Sequence, residues 1–510
     1  MPAPGRLKLI LGVSCLSMFI TALDNSIVNL ALPAIHQDLH SSVSTLQWTV
    51  DAYTLVLSAL LLTAGAGADR FGRKRTFLVG LVLFTLASLL CGLAPTAGWL
   101  IGFRALQAVG GSMLNPVAMS IISTAFPEPA ARAKAFGVWS SVYGASMAAG
   151  PLVGGVLVGT VGWRSIFFVN VPVGIVAVIL TLRFIPESRA ERPRRPDPVG
   201  QLLVIVVLAP LIYALIEGPS AGWTSVQTLS LIGVAVLAAI ALPLYERRRR
   251  EPLIDMSFLR SVPFTGATLL AVSAFIALGG FLFTTTIYLQ QVRGYSALRA
   301  GLYLLPMALM TLLFAPVAGR LAAHRGTRLP LLIAGAATLA SGLLLTGLGP
   351  HSSDVLLLGA FTLFGLGFSM VNAPITSIAV SGMPRSQAAV ASAIASTSRF
   401  VGQSLGVAVI GSVVSSQIHG PIATGFAQAS HTGWWIIAGC GLVNLVLGGL
   451  TTTAWAGRTA LRVAARLNEE QSPAGSNESV SSIGSAGPGP GLSGNGVVAL
   501  GAVTGDRSTR

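Results

Sequence analysis

The amino-acid sequence predicts an all-α membrane protein of fourteen spanning helices, built as two six-helix halves with a further pair inserted between them. Three observations lead there. The 510 residues are 53% hydrophobic and only 10% charged, with a mean hydropathy of +0.75, whereas a soluble domain carries about 25% charged residues. Apolar runs, each about long enough to cross a ~30 Å hydrocarbon core as a helix, fall at 9–31, 47–67, 77–94, 98–121, 135–159, 166–185, 199–216, 229–246, 265–289, 300–321, 329–348, 354–380, 389–415 and 432–456. Finally, Ser112-Met113-Leu114-Asn115 in the fourth run returns as Ser369-Met370-Val371-Asn372 in the twelfth, with Pro127 and Pro384 at the same 257-residue shift. A shift of eight helices rather than six leaves two added between repeated halves.

The first run follows Arg6 and Lys8 and contains Asp24, Asn25 and Asn29, so its helix continues where a cleavable leader would end. The second carries Asp51 near its outer end, where a carboxylate can simply cap the helix. The turn after it, from Gly65 through Asp69, Arg70, Gly72, Arg73, Lys74 and Arg75, is too short and too cationic to sit in lipid. A weaker echo, Gly319 and Gly326 with Arg320, Arg325 and Arg328, stands in the second half. These features divide the chain into an N-terminal half (1–185), linkers with the inserted pair (186–264), a C-terminal half (265–456) and a cytoplasmic tail (457–510). Residues 471–510 are mostly Ser, Gly, Pro, Ala and Val without period, and the tail is expected to be disordered.

Charge fixes the expected orientation. Of the 32 Lys and Arg, 27 fall in segments on the side of the termini, three (Arg164, Arg293, Arg299) in loops on the other side, and Arg104 and Arg399 inside spans. Lys and Arg are retained on the cytoplasmic side, so both termini are expected there. The formal charge of +15 thus reads as a topology signal rather than a nucleic-acid surface. Cys15, Cys91 and Cys440 each lie within an apolar run, which gives neither a disulfide framework nor metal-ligand spacing. No nucleotide-binding loop is visible and no cofactor is expected. No nucleophile–base pair appears either, so an enzyme is the least favoured class.

A charge at the centre of a spanning helix costs at least about 2.5–3.5 kcal/mol, so buried ionisable groups are functional candidates by default. Asp24 lies well inside the first run. Arg104 shares one helical face with Gln107, Gly111 and Asn115. A permanent ion pair with Asp24 or Asp51 that only joins helices is the plain alternative to a proton-handling role. In the fifth run, Gly144, Ala148, Pro151 and Gly155 fall on one side, beside Gly150 and Gly154. Small residues there permit close helix approach, and proline bends the helix. In the second half, Arg399 shares a face with Ser396, Gln403 and Gly406, and Gly365, Ser369, Asn372 and Thr376 form a polar stripe. Phe275, Phe281, Phe283, Tyr288, Tyr303 and Met307 either line an apolar cavity or face lipid.

Several of these stretches resemble one family. Gly65-x-x-x-Asp69-Arg70-x-Gly72-Arg73-Lys74-Arg75 is similar to the loop between helices two and three of the major facilitator superfamily. Leu23-Asp24-Asn25-Ser26-Ile27-Val28-Asn29 resembles the first-helix motif of its fourteen-helix drug:proton antiporters, with the motif's acid at Asp24. Arg104-Ala-Leu-Gln107-Ala-Val-Gly110-Gly111 resembles the fourth-helix motif, departing from it at Ala108. Gly144 to Gly155 looks like the fifth-helix signature of exporters, Trp163 to Pro172 like the outer loop and sixth-helix start of the fourteen-helix exporters, and Arg399 to Ala408 like helix thirteen. The resemblance covers most of residues 9–456 and implies parallel halves related by an axis along the membrane normal.

It also implies a monomeric cell-membrane antiporter, in a bacterial inner membrane, that exchanges protons for amphipathic small molecules such as antibiotics. Asp24, Arg104 and Asp51 would couple to protons. Gly65, Asp69, Arg70, Gly72, Arg73 and the Gly144, Gly150, Pro151, Gly154, Gly155 set would serve gating. Asn29, Gln107, Asn115, Ser369, Asn372, Arg399 and Gln403 would line the substrate cavity. A proton-coupled importer and a non-transporting receptor on the same scaffold are the rival readings.

Overall fold

The apolar runs form fourteen helices long enough to span a membrane, in a computed structural model that describes residues 4–189, 197–249, 255–381, 388–418 and 420–471. In chain order they are α1 (Pro4–Leu39), α2 (Val43–Phe71), α3 (Arg73–Gly92), α4 (Ala97–Ala125), α5 (Pro129–Thr160), α6 (Ser165–Phe184) and the inserted α7 (Pro198–Ala221) and α8 (Val226–Glu246). Then follow α9 (Val262–Ile287, continued by a π turn, Tyr288–Val292), α10 (Ala297–Arg325), α11 (Arg328–Leu345), α12 (Asp354–Ala379), α13 (Ala388–Ser416) and α14 (Ile422–Thr451). Among the described residues there is no strand. Fourteen crossings bring Pro4 and Thr451 to one side, the terminal face; the loops at 40–42, 161–164 and 293–296 lie on the opposite, distal face.

Most helices are longer than the apolar runs that mark them. Pro33 sits inside α1 without ending it, as neighbouring helices and adjusted backbone satisfy the freed carbonyl in a membrane bundle. Short polar residues begin many helices: Ser42 accepts from the Thr45 amide, Asp197 from Gly200 and Ser225 from Thr228, each satisfying one of the otherwise orphaned first-turn donors.

The internal repeat is visible in the packing. α1 packs on α5 as α9 packs on α13; α2–α4, α3–α4 and α3–α6 recur as α10–α12, α11–α12 and α11–α14. Even the hydroxyls repeat, Ser112 donating to Val109 O at 2.8 Å and Ser369 to Leu366 O at 2.7 Å. The repeat partner of Pro127, Pro384, lies outside the described residues. α9 is the most enclosed helix, with 78% of its apolar window buried, and α8 the least, with 17%. The inserted pair is therefore an appendage, held through α7. An apolar cluster of Leu208, Ile212 and Ile216 packs on Leu55 of α2 and Ala408 of α13. Trp48 donates to Glu217 at 2.9 Å, tying α2 to α7 near the distal face.

The sequence-based boundary of the tail needs correction. Rather than losing structure at 457, the chain turns after α14 into α15 (Ala454–Gln471), an amphipathic helix. Ala456, Ala460 and Val463 are buried along one side, and the Thr459 hydroxyl accepts the Val262 amide at 3.0 Å, which docks the helix on the start of α9. Its polar composition hid it from a hydropathy criterion, although the apolar positions keep helical spacing. The chain is one unit through Ala465; from Arg466 on it forms a second small unit, of which the end of α15 is described. The expected disorder of 472–510 falls outside the described residues. Truncation after residue 471 is expected to leave membrane insertion and transport unchanged, and a normally inserted truncate without transport would contradict this.

Candidate functional site

The buried polar centre is formed by α1, α4 and α6. Arg104 Nη1 lies 2.5 Å from Asp24 Oδ2, with side chains 0% and 1% exposed. Gln107, one turn along α4, holds both partners: its Oε1 accepts from Arg104 Nη1 at 2.7 Å and its Nε2 donates to Asp24 Oδ1 at 3.0 Å. Asn170 Nδ2 reaches the same carboxylate oxygen at 3.1 Å and Ser88 Oγ at 3.1 Å. Arg104 Nε donates to Thr49 O at 3.2 Å, and its guanidinium carbon sits 4.3 Å from the Tyr53 ring centroid. Burying two charges is costly, and their attraction offsets that cost only when further hydrogen bonds complete the set. Here they do, except at Arg104 Nη2, which is buried without a partner.

The sequence brought Asp24, Arg104 and Gln107 together correctly as types but misplaced one role. Gln107 is fully buried in the ion-pair network and does not line a cavity. Asn170, inside the stretch that resembles an outer loop and sixth-helix start, is the fourth member of the site, delivered by the offset at Val169 where Ser165–Phe168 and Asn170–Phe184 meet. Its polarity inside an apolar run was the available signal.

Asp51 is not interfacial and caps nothing. It is fully buried between α2 and α13, where Ser404 Oγ donates to Oδ1 at 2.9 Å and Oδ2 has no partner. No ion pair joins it to Arg104; the ion pair is Asp24's. The same distal half of the seam carries a reciprocal amide pair, Asn25 Nδ2 to Gln403 Oε1 at 3.0 Å and Gln403 Nε2 to Asn25 Oδ1 at 3.1 Å. Gln47 Nε2 donates to Val407 O at 3.1 Å and Ala408 O at 3.2 Å, and Gln290 Nε2 to Leu30 O at 2.9 Å. The halves are thus latched together on the distal side. Gln403 serves this latch, not a substrate surface.

On the terminal face, Gly72 turns between α2 and α3 at φ +112°, a value natural only to glycine. Arg73 pairs with Asp69 at 2.9 Å and hydrogen-bonds Thr124 of α4, Arg75 lies 3.7 Å from Glu187, and Lys74 Nζ donates to Leu182 O at 2.8 Å. The loop therefore gathers the ends of α2, α3, α4 and α6. Arg70 instead lies by the neighbouring Phe71 ring, and Gly65 faces Pro116 of α4.

The glycines of α5 serve two contacts rather than one face. A Cβ on Gly150 or Gly154 would collide with Ser26 or Ile27 of α1, whereas one on Gly155 would lie 2.8 Å from Leu298 Cα of α10. From the other side, a Cβ on Gly301 would stand 2.2 Å from the Pro151 carbonyl oxygen. α5 is wedged between its own half and the other. Gly144 takes no part, since nothing lies within 4 Å of its would-be Cβ, and the side chain of Ala148 lies outside the described residues.

Between the halves runs a narrow cleft lined by Ser26, Met147, Pro151, Met307, Thr311 and Phe368. Of the aromatic candidates, Phe275, Phe281, Phe283 and Tyr288 are buried within the C-terminal half, Phe281 stacking on Phe364 at 3.9 Å, while Tyr303 pairs with Tyr295. The first four are core residues of that half, and Tyr303 is partly exposed. Asn29 is buried and donates to Asn25 O at 3.2 Å, and its Oδ1, like Asn115 Oδ1, has no partner. Asn372 and Arg399 meet, Arg399 Nη2 donating to Asn372 O at 3.2 Å and Thr376 Oγ1 at 2.5 Å.

A fourteen-helix bundle of repeated halves, with a buried ion pair in one and a cleft between them, is a membrane transporter. The chain belongs to the Major Facilitator Superfamily, whose family model matches residues 14–407. It is 39% identical over 401 residues to the multidrug resistance protein Stp of Mycobacterium tuberculosis, covering 79% of this chain and 74% of that one. To the tetracenomycin C resistance and export protein of Streptomyces glaucescens it is 38% identical over 431 residues, covering 84% and 79%. The fold matches the crystal structure of a D-xylose–proton symporter with a TM-score of 0.62 at 14% identity, covering 86% of this chain and 96% of that one.

Proposed function

We propose that the protein is a proton-coupled antiporter that exports amphipathic small molecules by alternating access, as a monomer in a bacterial inner membrane with both termini in the cytoplasm. The observation that carries the reading is the fully buried Asp24–Arg104 pair with its Gln107 and Asn170 partners. A carboxylate held this way has one titratable position inside the bilayer, and neutralising it removes the attraction that fixes α1 to α4. The resistance and export functions in the names of the relatives support the direction of transport. The excess of Lys and Arg on the terminal face supports the cytoplasmic placement of the termini.

In this cycle the distal latch is closed while the cleft loads from the cytoplasmic side, with Asp24 ionised and paired. Opening of the distal side releases substrate and admits a proton to Asp24. Asp51, bridging to Ser404 across the seam, is a second carboxylate whose environment changes when the latch opens. The Asp69–Arg73 loop and the α5 contacts are the parts that must re-form between states.

The test is substrate-induced proton release from inside-out vesicles of a pump-deficient bacterium expressing the chain. Asp24→Asn keeps the shape and removes the titration; it is expected to insert normally and abolish proton-dependent efflux. Wild-type efflux from Asp24→Asn would place proton binding elsewhere, with Asp51 the next candidate.

A further inference from the structure

One buried cation is not used by the coupling site. Arg399 lies mid-way along α13, partly covered, with one terminal nitrogen bound to Asn372 O and Thr376 Oγ1 and its Nε buried without a partner. Both of those acceptors are neutral. Between Asp255 and Glu469 the sequence holds a single carboxylate, Asp354. That residue opens α12 on the distal face and pairs with Arg293 at 2.6 Å. Of the two carboxylates buried in the N-terminal half near the seam, Asp24 pairs with Arg104 and Asp51 accepts from Ser404. Across the seam, the ionisable group that interacts electrostatically with Arg399 is the Tyr143 phenol of α5. A neutral phenol does not compensate a guanidinium, and an uncompensated charge at this depth is expensive.

Its position relative to the cleft is consistent from two helices. Asn372 stands one turn from Phe368 on α12, and Tyr143 one turn from Met147 on α5; both Phe368 and Met147 line the cleft. α5 runs toward the distal face and α12 away from it, so both steps lead to the terminal side. The guanidinium, held by Asn372 and Thr376, therefore lies to the terminal side of the cleft lining.

We infer that Arg399 is a substrate-recognition group for an acidic oxygen, a carboxylate or an acidic phenol, whose apolar remainder lies against Met147, Met307 and Phe368. This rests on the export reading for its biological meaning, not for its chemistry. The anion completes the charge that the protein leaves open, and the planar fork gives bidentate contact that an ammonium does not.

Equilibrium dialysis of the full-length protein in nanodiscs against 2-naphthoate, its methyl ester and 2-naphthylmethylammonium provides the test. Wild type is expected to bind the acid at least about tenfold more tightly than either analogue, because hydrogen bonds between charged partners are the stronger ones. Arg399→Gln should reduce acid binding to the level of the ester, and Arg399→Lys should retain part of it. Equal binding of acid and ester by wild type, or unchanged acid binding by a well-inserted Arg399→Gln, overturns the inference. Failure of the wild-type protein to exchange protons, together with intact Arg399-dependent naphthoate binding, would refute export while leaving the anion site standing.

Discussion

Arg104→Ala is expected to reach the membrane in normal amount and to lose proton-coupled efflux. Removing the guanidinium leaves Asp24 with two amide donors, Gln107 Nε2 and Asn170 Nδ2, and no cation. Stripping one partner from a buried pair costs roughly 3–5 kcal/mol, more than a hundredfold in the population of the ionised form. The carboxyl escapes that cost by holding a proton, and an acid that never releases its proton cannot couple. Arg104→Lys keeps a point charge but loses the fork that reaches Thr49, Gln107 and Asp24 together, so reduced efflux with a displaced pH optimum is expected. Membrane abundance and pH-dependent efflux of both variants decide the matter. Failure of Arg104→Ala to accumulate would make the pair a structural pin, and an abundant, fully active Arg104→Ala would defeat either role.

Gly301→Ala is expected to have an effect as large, though it touches no charge. Its methyl would stand 2.2 Å from the Pro151 carbonyl oxygen, and a backbone atom cannot rotate away. α5 and α10 must separate, which opens the distal seam. Overpacking of this kind costs about 1–3 kcal/mol, enough to shift a two-state equilibrium roughly 5- to 150-fold. Spin labels at Thr160→Cys and Leu302→Cys should report a longer α5–α10 distance than in the labelled parent, with efflux strongly reduced and insertion normal. Unchanged distances and efflux would show that the seam tolerates the methyl group and is no gate.

The spans, the repeat and the buried pair were legible in the sequence because each has a one-dimensional signature. Hydropathy marks a crossing, a fixed shift marks a repeat, and Asp24 and Arg104 stand out against apolar neighbours. What escaped was set by packing between distant segments. Asn170 reaches Asp24 across 146 positions, and no spacing rule links them. Asp51 looked peripheral by its place in α2, yet α13 covers it through Ser404. The α5 glycines share helical faces that sequence periodicity assigns correctly, but only the assembled bundle shows that α1 takes one face and α10 the other, and that Gly144 meets neither. α15 was missed because a helix docked at one side needs only a few apolar positions.

The placement of α7 gives the molecule a sidedness that twelve helices alone would not have. Two seams join the halves, α2 with α13 and α5 with α10. The first is shuttered by α7, through Leu208, Ile212 and Ile216. The second stands bare, with Leu152 and Val156 of α5 and Leu298 and Leu302 of α10 turned outward. Molecules already dissolved in the bilayer therefore meet a wall on one flank and an undefended joint on the other. Among the described residues, surrounding lipid thus touches one joint between the halves directly and the other only across α7.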